Sequence, residues 1–136
     1  MCRTECYCAK LKRGAAAVSK YYDRQMADSG ITISQYGILR NVSRAKEGTI
    51  QELADLSEQD KSTMARMVKP LMARGLIYDA KPAGARNSRI LLTPQGKQTL
   101  VRATACWQRA QQQVEAALGK ERIVQMEAVL KALEAL

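Results

Sequence analysis

The stretch Thr49–Gly75, TIQELADLSEQDKSTMARMVKPLMARG, decides how this chain folds. Thr49-x-x-Glu52 has the form of a capping box, in which a hydroxyl and a carboxylate satisfy the free N–H groups of a helix start. It opens a short helix with Ile50, Leu53 and Ala54 facing inward. Leu56-Ser57-Glu58-Gln59-Asp60 is a polar turn, and Asp60 is a suitable N-cap for a further helix from about Lys61 to Arg74. The apolar stripe of that helix is Met64, Val68, Leu71 and Met72. Pro70 lies inside it and predicts a bend or a distorted last turn, and Gly75 ends it.

Upstream, Leu11, Ala15, Val18 and Tyr22 share one face of a first helix, closed by Gly30. Thr32-x-x-Gln35 is another capping box, with Tyr36 and Leu39 on the buried side of a helix that Gly48 breaks. Downstream the period changes. Leu76-Ile77-Tyr78 and Arg89-Ile90-Leu91-Leu92 are strand-like runs around the turn Lys81-Pro82-Ala83-Gly84, which predicts a small hairpin. Thr93-Pro94 restarts a helix, with Thr as cap and Pro at the first position. Its helical stripe is Leu100, Thr104, Trp107, Gln111, Val114 and Leu118, and Gly119 breaks it. Ile123, Met126, Leu130 and Leu133 form the seam of a final helix, which a small domain cannot cover alone. The fold class is therefore mainly α with a small β-hairpin wing. Two short helices, a tight turn and a basic hairpin describe a winged helix-turn-helix, whose second helix enters the DNA major groove.

Composition points the same way. The 136 residues carry 22 Lys+Arg against 13 Asp+Glu, a net charge of +9, which favours polyanionic partners. Seven basic residues but only two acidic ones lie between Asp60 and Thr93. Ser62, Arg66 and Lys69 fall opposite the apolar stripe, beside Lys61 and Thr63, while Arg86 and Arg89 lie on the hairpin. Small hydroxyls and Arg at a helix start suit base edges and phosphates. The chain has no His, which removes Ser-His-Asp, Cys-His and HExxH chemistry. No nucleophile elbow or phosphate-cradling loop is present either, so we expect no enzyme. No apolar run approaches a membrane span and no signal peptide opens the chain, which predicts a cytoplasmic protein without a membrane partner.

From about Cys8 to Gly119 the chain resembles the MarR family of bacterial transcription regulators. The resemblance is carried by Ile31-Thr32-Ile33-Ser34-Gln35-Tyr36, Leu53-Ala54, Asp60-Lys61-Ser62-Thr63, Arg66, Leu71, Arg74-Gly75-Leu76-Ile77 and Leu92-Thr93-Pro94-Gln95-Gly96. It implies a homodimer that binds a near-palindromic double-stranded DNA operator and usually represses. Residues 31–94 would then be the winged DNA-binding region, and residues 1–30 with 95–136 the dimerisation helices, all in one compact domain. The family pattern has an Asp two residues before the wing arginine. Arg86 matches the arginine, but the Asp position is Gly84.

The four cysteines admit three readings. Cys2, Cys6 and Cys8 crowd the N-terminus and Cys106 lies on the long helix. They can be reduced thiols packed as small hydrophobes. They can sense oxidants: Cys8 falls at the reactive cysteine of the peroxide-sensing OhrR branch, which this chain resembles in part, and Tyr22 matches one of that branch's tyrosines. The two other tyrosine positions are Lys12 and Ile33. Lys10, Lys12 and Arg13 supply surroundings that favour a thiolate. Finally, Cys-x3-Cys-x-Cys can offer thiolates to a metal or iron–sulfur cluster, although its spacing is not that of a zinc knuckle. No cofactor is required by the fold. Tyr22, Tyr36 and Trp107 are either core or the lining of a pocket for a small aromatic effector.

Overall fold

The computed structural model describes residues 6–136; Cys2 lies outside them. Helix α1 spans Tyr7–Gln25 and is followed by a 3₁₀ turn, Ala27–Ser29. Gly30, at φ 77°, closes that turn rather than the helix itself. Helices α2 (Ile33–Arg44), α3 (Ile50–Leu56) and α4 (Lys61–Ala73) precede the antiparallel strands β1 (Ile77–Asp79) and β2 (Ile90–Leu92). Helices α5 (Pro94–Leu118) and α6 (Lys120–Glu134) complete the chain. The hairpin register pairs Ile77 with Leu92, Tyr78 with Leu91 and Asp79 with Ile90. The mainly α fold with a two-stranded wing is the one expected from the sequence.

The capping signals act in detail. Thr32 and Gln35 exchange both bonds of a capping box at α2. At α3 only half the expected box forms: Thr49 accepts from the Glu52 N–H, but the Glu52 carboxylate turns to the preceding loop. There it accepts from the N–H groups of Gly48, Lys46 and Glu47 at 2.8, 3.0 and 3.0 Å, which, Gly48 first, hold its carboxyl below the usual carboxylate range. Helix α4 ends in a Schellman arrangement, Gly75 N–H to the Met72 carbonyl and Leu76 N–H to that of Leu71. Pro70 does not end α4 early. It lies on the exposed side, so the Arg66 carbonyl, deprived of its helical donor, can be hydrated.

The core joins Leu39, Leu53, Met64, Leu71, Leu76, Ile77 and Ile90, all essentially inaccessible, to one face of α5. That face is not the stripe expected from the sequence. The buried residues are Gly96, Thr99, Ala103, Cys106 and Ala110, while Leu100, Thr104, Trp107 and Gln111 lie beside them, half-buried. Small side chains let α5 approach closely: a Cβ on Gly96 would stand 1.9 Å from the Leu76 carbonyl oxygen. By contrast α1 and α6 bury no residue at all within the chain. No helix among the described residues is long and apolar enough to cross a membrane.

Candidate nucleic-acid interface

The turn that presents α4 is built by local chemistry. Glu58 takes a left-handed φ of 53°, a costly conformation for a residue with a Cβ. Its N–H bonds the Asp55 carbonyl and that of Gln59 bonds Ala54, closing α3 as a Schellman end. Asn41 of α2 donates to Ser57 Oγ at 3.0 Å and ties the turn to the core. Asp60 then caps α4. Its Oδ1 accepts from the Thr63 N–H at 2.7 Å and from the Ser62 hydroxyl at 2.8 Å. These bonds, the Thr63 N–H first, bring the Asp60 carboxyl down to about 2.

On this helix Lys61, Ser62, Arg66 and Lys69 are exposed and Thr63 is half-buried, opposite the buried Met64, Val68 and Leu71. Ser62 spends its proton on Asp60, so its oxygen is left as an acceptor. Arg66 reaches back to Thr63 Oγ1 at 3.4 Å, which lays the guanidinium along the first turn.

The wing stands beside α3. Gly48, at φ 75°, offers its carbonyl to the Ile90 N–H at 2.8 Å, and the Ile50 N–H donates to Ser88 Oγ at 3.3 Å. A Cβ on Gly48 would meet the Ile90 backbone oxygen at 2.8 Å, so the seam requires glycine on two counts. Between wing, α3 and the start of α4 lies a groove of about 410 Å³. Lys61, Lys81 and Arg86 line it with Thr49, Gln51, Ser88 and one acidic residue, Glu47. Arg86 is exposed and Arg89 is exposed at the foot of the hairpin. Gln51 and Ser88 were not singled out from the sequence. Thr49 stood out only as a helix cap, and Lys81 only in the hairpin turn and the local charge excess. They become neighbours through the Gly48–Ile90 seam, which pairs segments remote in sequence.

The remaining candidates lie elsewhere. Cys6 and Cys8 are free and exposed at the start of α1, whereas Cys106 is free and buried in α5. Among the described residues no group of three or more Cys, Asp or Glu is gathered as a metal site would need. Tyr22 lines a second, larger groove of about 1160 Å³ between α1, the end of α5 and α6. Its hydroxyl bonds Gln111, and burial pushes that hydroxyl's pKa up. Tyr36 is buried, with its hydroxyl against Thr104 Oγ1 at 3.2 Å. Its ring stacks on Trp107 at 6.0 Å, and Arg40 stands 5.3 Å from the Trp107 ring. Tyr36 and Trp107 thus form a stack of their own and do not line the groove that holds Tyr22.

Residues 29–86, the span that holds α2, α3, α4 and the rising half of the wing, match the family model for MarR regulators. A transcriptional regulator of Mycobacterium tuberculosis, MosR, solved in complex with DNA, is 32% identical. It superposes with a TM-score of 0.81 over 96% of this chain and 98% of its own. The chain belongs to the MarR family. A Thauera aromatica protein assigned as transcriptional regulator for the hcr operon is 29% identical over 111 residues, 80% of this chain and 67% of its own length. The repressor CouR, solved with p-coumaroyl-CoA, is 20% identical and shares the fold, with a TM-score of 0.82 over 96% of this chain and 92% of its own. As a MarR-family protein the chain is a DNA-binding transcriptional regulator with a winged helix-turn-helix.

Proposed function

We propose that the chain acts as a homodimeric repressor whose two α4 helices and two wings bind a near-palindromic operator. The observation that carries the reading is the continuity of one basic surface. The exposed Ser62, Arg66 and Lys69 of α4 run directly, through Lys61, into the groove of Lys81 and Arg86. Arg66 and Ser62 are suited to base edges, and Lys61, Lys69, Lys81, Arg86 and Arg89 to phosphates. Residues 31–94 would supply this surface. Residues 1–30 and 95–136 would supply the dimer.

The dimer reading is supported by the apolar groove of α1 and α6. Leu11, Val18, Met126 and Leu130 are 41–44% exposed in the single chain, an unusual cost unless a second copy covers them. An obligate interface of this kind buries on the order of 2,000 Å² or more. It would set two α4 helices about one DNA turn, roughly 34–36 Å, apart.

Release from DNA would follow from a change at that interface. A small aromatic effector is one route, by analogy with the ligand-bound CouR, and Tyr22 at the groove, or the Tyr36–Trp107 stack with Arg40, offers the matching chemistry. Thiol oxidation is the second route, favoured by the exposure of Cys6 and Cys8. A hydroperoxide would take Cys8 to the sulfenic acid with release of the alcohol, and Cys6 would then displace water to give a disulfide. Cys106, being buried, is a poor partner for either step. One experiment separates the routes. DNA affinity of the reduced protein is measured before and after one equivalent of organic hydroperoxide, beside Cys8→Ser, with mass spectrometry of the thiols. Unchanged affinity with unmodified Cys8 refutes the oxidation route and leaves the aromatic effector. No binding to any duplex selected from a random pool refutes the repressor reading as a whole.

A further inference from the structure

Lys81 and Arg86 sit on the segment Ala80–Arg89, which lies outside both strands and has few bonds of its own. Ala80 N–H bonds the Arg89 carbonyl at 2.8 Å and Ala85 N–H bonds that of Pro82 at 3.0 Å. Asp79, the last residue of β1, supplies the rest. It is exposed, yet its Oδ1 accepts from the Lys81 N–H at 3.0 Å and from the Arg89 N–H at 2.9 Å. One oxygen thus joins the two ends of the wing tip. The Arg89 N–H, ahead of that of Lys81, holds the Asp79 carboxyl below the usual carboxylate range. By charge alone a carboxylate here opposes the approach of phosphates. The position where the family places an acidic partner for the wing arginine is Gly84, so no carboxylate orders the tip from within.

We infer that Asp79 is a positioning residue for DNA binding, whose carboxylate closes the base of the wing tip and so holds Lys81 and Arg86 at the groove beside α3. The inference rests on the proposed contact between wing and DNA backbone. Its geometry makes a distinction that charge cannot make. Both bonds go to a single oxygen, so an asparagine amide oxygen can accept both, whereas alanine can accept neither.

The test uses the full chain and a fluorescent mixed-sequence duplex, because phosphate contacts do not depend on sequence. Anisotropy titrations at several salt concentrations compare wild type with Asp79→Ala and Asp79→Asn, in the native background and with Lys81→Ala/Arg86→Ala. Thermal melts accompany them; as an exposed residue, Asp79 is replaceable without loss of the core. Asp79→Ala is expected to lose about fivefold in affinity and about one unit of salt slope, as for a lost phosphate contact. Asp79→Asn is expected to bind at least as well as wild type. Without Lys81 and Arg86, the Asp79→Ala loss is expected to vanish. If alanine and asparagine tighten binding equally, Asp79 is only an unfavourable charge and the inference is wrong. It is equally wrong if the alanine loss persists without Lys81 and Arg86. If the Lys81→Ala/Arg86→Ala protein itself keeps wild-type affinity and slope, the wing does not meet the backbone, and the underlying reading falls as well.

Discussion

Among the glycines of this chain, Gly96→Ala should be the most damaging substitution by alanine. Gly96 lies in the first turn of α5, where Thr93 Oγ1 accepts its N–H at 2.9 Å. The same threonine donates from its backbone to the Leu76 carbonyl at 3.1 Å and from its hydroxyl to that of Gly75 at 2.6 Å. Two of these bonds therefore rivet the start of α5 to the end of α4 and the start of the wing. A Cβ on Gly96 falls 1.9 Å from the Leu76 oxygen and 2.9 Å from its carbon. Both atoms are backbone, so no side chain can swing aside; the elements must separate by more than 1 Å to restore a 3.0 Å contact. Overpacking of this kind costs about 1–3 kcal/mol, and loss of the Thr93–Leu76 bond about 1 kcal/mol more. Better helix propensity returns less than about 1 kcal/mol. The net loss is about 2–3 kcal/mol, which lowers the melting temperature by roughly 5–10 °C for a chain of this size. Gly37→Ala in α2 is the control. Its Cβ meets nothing within 4 Å, so it should stabilise by about 0.5–1 kcal/mol. Thermal and urea unfolding at one protein concentration measure both. A Gly96→Ala protein that melts with the wild type would refute the close approach of α5 to Leu76. Because the joint carries α4 and the wing, the variant should also lose DNA affinity in excess of any unfolded fraction.

Other outcomes follow from the same geometry. Arg66→Ala should cost about 1–3 kcal/mol on a selected operator and relax its sequence preference, whereas equal loss on a scrambled duplex would remove Arg66 from base reading. Deleting residues 120–136 strips the groove of Ile123, Met126, Leu130 and Leu133 and should abolish the dimer and DNA binding together; a well-folded monomer that binds DNA, seen by sedimentation, would contradict this. Asp60 and Glu52 both have folded carboxyl values below their ordinary ones, so each stabilises the fold above its ordinary value, and that contribution is lost as pH falls through the folded value. For Asp60 the window runs from 3.8 down to about 2, and Asp60→Asn should make acid unfolding shallower there, as followed by circular dichroism.

The elements were legible because the chain marks its helix starts with capping side chains. Thr32, Thr49, Asp60 and Thr93 each accept an N–H three residues on, as their types and spacing predict. Failures came where two jobs compete for one residue. Glu52 has the capping-box spacing, but three N–H groups of the 46–48 loop converge on its carboxylate and outbid the one at Thr49. In α5 the sequence marks the larger residues Leu100, Trp107 and Val114, yet the helix presses its smallest face inward. Hydrophobic periodicity weighs size, whereas close packing of a helix against backbone selects against it. The two stripes are one residue apart, which a pattern search cannot separate once Gly, Thr and Ala are scored as neutral.

The candidate binding surface divides along the same line. The face of α4 was legible in full, because one helix places Ser62, Arg66 and Lys69 opposite Met64 and Val68 by its period alone. The groove beside it was not, because it is made by the seam of Gly48 on Ile90, 42 residues apart, and that pairing has no local signature beyond a glycine. The consequence reaches the chemistry. A basic residue on a helix face is held by the helix, but Lys81 and Arg86 are held only as well as their loop is. The carboxylates of Asp79 and Glu52 are what fix that loop and its neighbour, through backbone N–H bonds that depend on no particular sequence at the donors. Counting positive charge therefore locates the candidate surface, while the acidic residues within it order the backbone that carries that charge.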